Sequence, residues 1–300
     1  MRCGINAKDL DLLAAIADMR ITTAAQLAAR HRTSEQMVRR RCRRMGKGSL
    51  VTATPRGMGG GRGRPVDVYS TTSKGVTQLK EAGLLGDGIP PERVTGDSLV
   101  RELDHQLLLN EVGVDLRALG HEHADLSVNF VSSTCPFHLG ESGGSILAQK
   151  VAPPAGDAIT VLPDAVCSIT SANAGKSLLF MVEVDKGTEP KVRSKPEQGE
   201  DLRTKILAYR ALLGSGQYRR LATLMEVQTR GFRVLLLTNT QARGQSLCRM
   251  VKQMAPSDFI WVSHRAIIES RGIGQAVWYP GGKESSGPCS ILGSQATRTG

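Results

Sequence analysis

Aromatic residues and long apolar runs are scarce in this sequence of 300 residues. Aromatics make up 4% of the chain and hydrophobic residues 40%, so we expect a core built mainly from aliphatic side chains. No run of about 18 apolar residues occurs, which argues against a transmembrane helix. The N-terminal stretch MRCGINAKDL lacks the apolar centre of a signal peptide. We therefore predict a cytoplasmic protein with no membrane partner, long enough for about two domains.

Paired cysteines are also missing. The six cysteines are widely scattered and form no C-x-x-C pair, so the spacing predicts neither a disulfide framework nor a cysteine zinc site. Reduced thiols agree with a cytoplasmic location. The cysteines are Cys3, Cys42, Cys135, Cys167, Cys248 and Cys289.

Acidic residues balance only about half of the basic residues in the first third of the chain. Residues 1–96 hold 17 basic and 8 acidic residues, whereas the 22 basic and 20 acidic residues of the remainder nearly cancel. A basic excess at one end indicates a polyanionic partner for that end, and double-stranded DNA is the partner we predict. The alternative is a basic surface that only aids solubility.

The same region predicts three helices. Apolar residues recur on one face of residues 8–19. Capping-box spacing at Thr23 and again at Thr33 opens two further helices, over residues 24–31 and 35–45. The second of these three helices is short and rich in alanine, which is typical of closely packed helices.

The third helix carries five arginines and no acidic residue between positions 38 and 45. Met37, Val38, Cys42 and Met45 are predicted to face inward, with Arg41 near the boundary. A helix with guanidinium groups on its outer face suits the major groove of DNA, where arginine contacts phosphates and guanine edges. The DNA-binding residues predicted here are Arg39, Arg40, Arg43, Arg44 and Lys47.

A basic hairpin is predicted after the third helix. Short strands at 50–52 and 66–69 flank the glycine-rich loop PRGMGGGRGRP. Its arginines, Arg56, Arg62 and Arg64, would follow the minor groove or the DNA backbone, as the wing of a winged helix does. With a further helix over 74–83, the order of elements predicts a winged helix-turn-helix DNA-binding domain over residues 1–83.

The remainder of the chain predicts an α/β domain. Residues 84–97 are rich in glycine and proline and form the predicted linker. A helix over 98–119 opens a succession of strands and helices over 98–265, which is typical of an α/β layout. Residues 266–300 are rich in glycine, serine and threonine, and we predict a disordered tail there.

Three carboxylates are predicted to meet at one end of a β-hairpin in this domain. If the hairpin is centred between Asn173 and Ala174, Asp164 lies opposite Glu183. Asp185 shares the face of Glu183 because side chains alternate along a strand. Burying three like charges requires a balancing cation, and oxygen ligands favour Mg²⁺ or Mn²⁺. In the alternative interpretation, Asp185 merely ends the strand and Asp164 sits in a Pro-Asp turn.

Two further features lie near this hairpin. A helix over 201–213 places Lys205 and Tyr209 on one face, from which Lys205 could project toward the carboxylates and orient a water or stabilise charge on phosphorus. Gly175-Lys176-Ser177 resembles the end of a phosphate-binding loop. Position 170 is threonine where that loop has glycine, so no nucleotide site is predicted.

Several of these stretches resemble a known protein family. They are GRGRPVDVYSTTSKGVTQL in the N-terminal third, then LPDAV, LLFMVEVDKGTEP and KILAYRALL. Over roughly residues 8–265 the chain resembles the replication-relaxation family of plasmids, phages and actinobacterial mobile elements. The resemblance implies a role in plasmid replication, DNA relaxation or mobilisation.

The second domain of that family is similar to the PD-(D/E)-x-K nuclease fold, which implies a restriction-endonuclease-like α/β domain here. By position, Asp164 matches the PD element and Glu183 the acidic residue of the next strand. The pattern places a lysine two residues later, where this chain has Asp185, and Lys186 is one place late. Lys205 is the candidate replacement, which makes Asp164, Glu183 and Lys205 the candidate catalytic residues.

Three hypotheses follow from this reasoning. The first is a DNA-binding protein of a mobile element. The second is an active endonuclease in which Asp164, Glu183 and Asp185 hold Mg²⁺. The third is a transcription regulator whose degenerate nuclease-like domain mediates self-association into a homodimer.

Overall fold

A computed structural model describes residues 5–56, 66–96, 102–138, 144–152, 158–186 and 202–293. It has a mixed α+β fold that divides into two compact units, Met1–Val114 with Thr134–Ile146, and Asp115–Ser133 with Leu147–Gly300. Among the described residues, no helix is long and apolar enough to cross a membrane.

The described residues of the first unit include four complete α-helices and a small sheet. Asn6, Thr23, Ser34 and Thr72 each accept a hydrogen bond from the first turn of the helix that follows, which explains where these helices begin. At Thr23 the predicted capping box with Gln26 is confirmed. The helices are α1 (Ala7–Met19), α2 (Ala24–His31), α3 (Glu35–Lys47) and α4 (Ser73–Glu81).

A three-stranded antiparallel sheet completes this part of the first unit. Its strands are β1 (Ile21–Thr23), β2 (Val51–Arg56) and β3 (Val66–Thr71), in the order β1-β3-β2. The predicted hairpin of β2 and β3 is confirmed, and β1 is an addition that the pattern did not predict. Gly75 lets α4 pack closely against Leu50, which lies between α3 and β2. A Cβ at position 75 would lie only 2.3 Å from the carbonyl oxygen of Leu50.

The predicted linker is part of the first unit where it is described, which corrects the sequence-based interpretation. Leu85 and Val94 are buried in the core with the helices. Arg20 follows the last residue of α1 and has a positive φ. Its guanidinium group donates hydrogen bonds to the carbonyl oxygens of Thr95 and Glu92. Apolar packing and hydrogen bonds from Arg20 thus hold this segment against the helices of the first unit, although its glycine and proline content is typical of a linker.

The predicted boundary at residue 98 also differs from the structure. Helix α5 (Leu103–Glu122) contributes residues to both units. Its buried Asn110 donates to the carbonyl oxygens of Met19 and Ile21, at 3.1 and 2.7 Å, so the first half of α5 belongs to the first unit. A buried amide that satisfies main-chain acceptors so far away in sequence is a tertiary event that local patterns do not reveal.

A six-stranded sheet forms the centre of the second unit. The strands of this unit are β4 (Leu126–Ser132), β5 (Gln149–Val151), β6 (Ile159–Val161), β7 (Ala165–Ser171), β8 (Lys176–Asp185), β9 (Arg233–Thr238), β10 (Ile260–His264) and β11 (Tyr279–Pro280). The order in the sheet is β11-β10-β9-β8-β7-β4, and β5 pairs with β6 in a separate two-stranded sheet. Strand β7 is antiparallel to both β4 and β8, the strands β8, β9 and β10 run parallel, and β11 is antiparallel to β10.

The register predicted for the central hairpin is confirmed. Ser171 pairs with Lys176 and Ala165 with Val182, which centres the turn between Asn173 and Ala174. The strand predicted over 159–169 is interrupted, since β6 ends before Pro163 and β7 begins after Asp164. Proline cannot donate to the ladder, which explains the break.

Four further α-helices lie wholly within the described residues of the second unit, in addition to the second half of α5. They are α6 (Leu202–Ser215), α7 (Arg219–Leu224), α8 (Gln241–Lys252) and α9 (Arg265–Arg271). Helices α6 and α8 follow β8 and β9 respectively, within the connections between parallel strands. Helix α7 was not predicted.

Residues 266–293 are ordered, which contradicts the disordered tail predicted from 266; residues 294–300 lie outside the described residues. Trp278 is fully buried, and its indole nitrogen donates to the carbonyl oxygen of Ile273 at 2.9 Å. Gly282 has a φ of +67°, and a Cβ there would lie 2.1 Å from the carbonyl oxygen of Cys248. The glycines that resembled a flexible tail instead permit tight turns around a buried tryptophan.

Candidate functional site

Helix α3 presents a cationic outer face, as its sequence pattern predicts. Val38, Cys42 and Met45 are buried on the inner face. The outer side chains are exposed, while Arg41 and Met37 are half-buried. The exposed cations of this face are Arg39, Arg40, Arg43, Arg44 and Lys47, which we call the α3 cationic face.

Two carboxylates partly neutralise the α3 cationic face. Glu35 accepts from Arg39 at 2.7 Å in an exposed pair one helical turn apart. Asp9 of α1 is only 1% exposed and accepts from Arg41 at 2.8 Å and from Arg44. Sequence reasoning missed Asp9 because it counted acidic residues only within α3.

Arg40, Arg43 and Lys47 are the least compensated residues of this face. Over the part of the chain that the structure describes, none of the three has a carboxylate within ion-pair distance. Arg40 donates to the sulfur of Met37, and Arg43 lines a groove of about 760 Å³ between α3 and the hairpin strands β2 and β3. Their charges are therefore available to an external anion.

The predicted hairpin residues have different outcomes. Arg56 is exposed at the end of β2 and forms an ion pair with Asp104 at 2.5 Å. Arg62 and Arg64 lie outside the described residues. The DNA-binding role of all three stays a prediction.

The second unit holds a buried carboxylate, Glu183, near the end of β8. It is 4% exposed. Oε2 accepts from the ammonium group of Lys205 at 2.5 Å, and Oε1 accepts from the hydroxyl of Tyr209. Both partners lie four residues apart on α6, so the predicted projection of Lys205 toward the carboxylate is observed. Whether Lys205 has a catalytic role stays a prediction.

Burial raises the pKa of Glu183 to about 8, from an ordinary value of 4.5. Lys205 opposes this rise by attraction and hydrogen bonding, and nearby Asp164 adds to it by repulsion. Asp164 itself is half-buried just before β7, where its Oδ2 accepts from the main-chain nitrogen of Val184 at 2.8 Å. The hairpin register thus brings Asp164 to Glu183.

Asp185 has a different environment, which corrects the predicted meeting of three carboxylates. It is 2% exposed, and its Oδ2 accepts from Nε of Arg243 on α8 at 2.7 Å. Asp185 follows Glu183 by two residues and lies on the same face of β8, yet the two carboxylates contact different helices. An arginine of the chain supplies the positive charge that we predicted a metal would supply.

The carboxylates do not fit a divalent cation as arranged. The oxygens of Glu183 are engaged by Lys205 and Tyr209, and Asp164 and Asp185 also accept hydrogen bonds from groups of the chain. Within the described ranges, no three His, Cys, Asp or Glu side chains gather where they could hold a metal. Mg²⁺ requires several oxygen ligands in near-octahedral order. We therefore derive no chemical step through a metal at this site.

Sequence reasoning missed Arg243 altogether. One signal was available: Thr240 follows β9 and caps α8, with its hydroxyl accepting from the main-chain nitrogen of Arg243. A helix capped directly after a parallel strand places its first turn at the carboxyl end of the sheet. That turn is where a partner for Asp185 would lie.

Comparison with known families decides what kind of protein carries these sites. The model of the family described as replication-relaxation matches residues 13–227. The chain belongs to the replication-relaxation family. The part of this replication-relaxation protein that the family model matches begins within α1 and ends after α7. It includes the α3 cationic face, Asp164, Glu183 and Lys205.

Other comparisons add little. No curated protein matches the chain. Two solved structures of Lactococcus lactis ZitR, a double mutant and a single mutant, are 20% and 22% identical to it. The matches cover 39% and 41% of this chain and 75% and 77% of theirs, with TM-scores of 0.23 and 0.24. Scores at this level carry no argument.

Proposed function

We propose that this protein binds duplex DNA through its first unit, as a winged helix-turn-helix domain, in the replication, relaxation or mobilisation of a plasmid, phage or other mobile element. The observation that carries the proposal is the exposed, uncompensated pair Arg40 and Arg43 on α3. Arginine on an exposed helix can reach guanine edges in the major groove and phosphates beside it. Membership of the replication-relaxation family supports the same conclusion.

The groove between α3 and the β2–β3 hairpin supports a winged-helix interpretation. Arg39 and Arg43 line one wall, while Val66 and Asp67 come from the hairpin. Five of the six residues of β2 are exposed, so this strand presents its side chains outward beside α3. Such a helix and hairpin could contact adjacent parts of one duplex.

Affinity for duplex DNA measured against salt concentration tests this proposal. Arg40→Ala with Arg43→Ala should lower affinity about tenfold and reduce the salt slope by about 2, since each lost phosphate contact removes about 0.9. Lys74→Ala with Arg93→Ala is the matched control, because it removes the same charge from exposed positions outside α3 and the groove. Equal losses in the two variants would contradict a specific role for α3.

We propose further that the second unit is a PD-(D/E)-x-K nuclease-like domain that no longer cleaves DNA. The resemblance of Asp164 and Glu183 to that motif, with Lys205 beside them, supports the domain assignment. The ion pair between Asp185 and Arg243 supports loss of cleavage, because Asp185 takes the sequence position of the motif's lysine and its carboxylate pairs with Arg243.

Cleavage of supercoiled plasmid decides between this proposal and an active endonuclease. Wild type and Asp164→Ala should both leave the plasmid supercoiled in the presence of Mg²⁺ or Mn²⁺. Nicking by the wild type that Asp164→Ala abolishes would show an active enzyme instead. Sedimentation of the full chain would separately test the homodimer that the regulator hypothesis requires.

A further inference from the structure

A second cationic groove lies in the second unit, far along the sheet from the carboxylates. It is lined by the starts of β8 and β9, by the turn before β8, and by the segment before β9, and its volume is about 990 Å³. Leu179, the lining residue nearest to Glu183 along β8, lies four residues before it, so about 13 Å of strand separates the groove from that carboxylate at roughly 3.3 Å per residue. The groove is therefore a separate feature.

Three cations and no acidic residue line this groove, which we call the strand-entry groove. Lys176 and Arg230 are exposed, and Arg233 is half-buried. In the described part of the chain, no carboxylate lies within ion-pair distance of any of the three. Asp258 is next in sequence to the lining, but its carboxylate pairs with Lys283 at 2.6 Å.

Arg233 is held in place without a charged partner. Its guanidinium carbon lies 4.9 Å from the centroid of the Trp261 ring, a cation–π contact that fixes the side chain. Burial lowers the pKa of Arg233, although arginine remains charged in proteins. A desolvated, positioned guanidinium group attracts an anion more strongly than a mobile one in water.

An aromatic ring adjoins these cations. Phe259 lines the groove and is half-buried, and its ring meets that of buried Phe232 edge to face at 6.1 Å between centroids. Gln228, Thr229 and Ser177 add polar groups to the lining. A cationic groove with an accessible aromatic ring is the combination that binds single-stranded nucleic acid, since cations follow the phosphates and bases stack on the ring.

We propose that the strand-entry groove binds single-stranded DNA. Lys176, Arg230 and Arg233 contact the phosphates, and Phe259 provides a stacking surface for a base. This also gives a role to Gly175-Lys176-Ser177, which resembles the end of a phosphate loop in sequence. The site does not depend on duplex binding by α3, and the two can fail separately.

Fluorescence anisotropy with a labelled oligothymidylate of about 12 nucleotides tests the groove in the full chain. Lys176→Ala with Arg230→Ala and Arg233→Ala should lower affinity at least about tenfold and reduce the salt slope by about 2, at about 0.7 per contact on single strands. Arg249→Ala with Lys252→Ala and Arg271→Ala removes equal charge from exposed positions of the same unit and should change affinity less than about twofold. Equal losses in the two variants would overturn the proposal.

Two further measurements test whether a base stacks on Phe259 and whether the groove prefers single-stranded over duplex DNA. Phe259→Leu should weaken oligothymidylate binding several-fold while leaving binding of an abasic oligomer of equal length unchanged. Thermal unfolding of each variant tests whether the groove variants are folded. If the triple groove variant loses duplex affinity by the same factor as single-strand affinity, the groove is a duplex site and the proposal is wrong. If only the Arg40 and Arg43 variant loses duplex affinity, the two sites are independent.

Discussion

The α3 cationic face of the first unit and the carboxylates of the second unit use charge in opposite ways. In the first unit, arginines on α3 remain exposed, and the carboxylates of Asp9 and Glu35 neutralise only some of them. In the second unit, Glu183 and Asp185 are buried at the end of β8, where Lys205 and Arg243 satisfy them.

This difference teaches which charges can act on an external partner. An exposed cation keeps its solvent shell until a phosphate displaces it, so it is available for binding. A buried ion pair costs desolvation energy that its own attraction must offset, so its charges are committed to each other. The α3 cationic face is thus the better candidate for DNA recognition of these two sites, and the carboxylates of β8 are better suited to a structural role.

The largest expected effect comes from removing a buried partner. Arg243→Met should lower the free energy of unfolding by about 3 to 5 kcal/mol, because Asp185 would stay buried without its counter-ion. Urea unfolding measures this change. Arg249→Met, an exposed arginine of the same helix, is the control and should cost less than about 0.5 kcal/mol. Adding Asp185→Asn to Arg243→Met should recover most of the loss; no recovery would show that the ion pair is not the cause.

Stability should depend on pH through Glu183. Its pKa is about 8 in the folded chain, so between its unfolded value and 8 the folded state binds more protons than the unfolded state. The contribution of Glu183 to the free energy of unfolding is fully present below its unfolded pKa. It is lost as the pH rises through about 8, at up to about 1.4 kcal/mol per pH unit. Glu183→Gln cannot ionise and should show a flatter profile in urea unfolding at several pH values. Parallel profiles for the two proteins would contradict the raised pKa.

A smaller loss is expected at the buried carboxylate of the first unit. Asp9→Asn should lower the free energy of unfolding by about 1 to 2 kcal/mol, since charge-assisted hydrogen bonds to Arg41 and Arg44 are lost while both arginines can reach solvent. Asp11→Asn is the control, because that side chain is 72% exposed and should cost less than about 0.5 kcal/mol. Thermal unfolding of both variants makes the comparison.

The smallest expected effect is a difference in duplex affinity between variants of two neighbouring arginines, Arg43 and Arg44. Arg43→Ala should lower duplex affinity about fivefold and Arg44→Ala about twofold, because Arg44 is already committed to Asp9. In an Asp9→Asn background the two losses should become similar. Equal losses in the original background would show that the pair with Asp9 does not withhold Arg44 from DNA.

Much of the secondary structure could be predicted because it is encoded over short distances. Capping residues such as Thr23 and the apolar period of α3 mark helices within a few residues. The turn at Asn173 and Ala174 sets the register of β7 and β8. Because of this register, Asp164 lies close to Glu183. The predicted tail failed because composition alone cannot show that Trp278 is buried among turns.

The sequence by itself determined most of the helices, the hairpin register and the cationic face of α3, since these follow from local periodicity and capping. Only the tertiary structure decided which charges remain available. Asp9 meets Arg41 from 32 positions away, and Asp185 meets Arg243 from 58 positions away. Such pairs form when packing closes long stretches of chain, and burial then strengthens the electrostatic interactions that the packing creates.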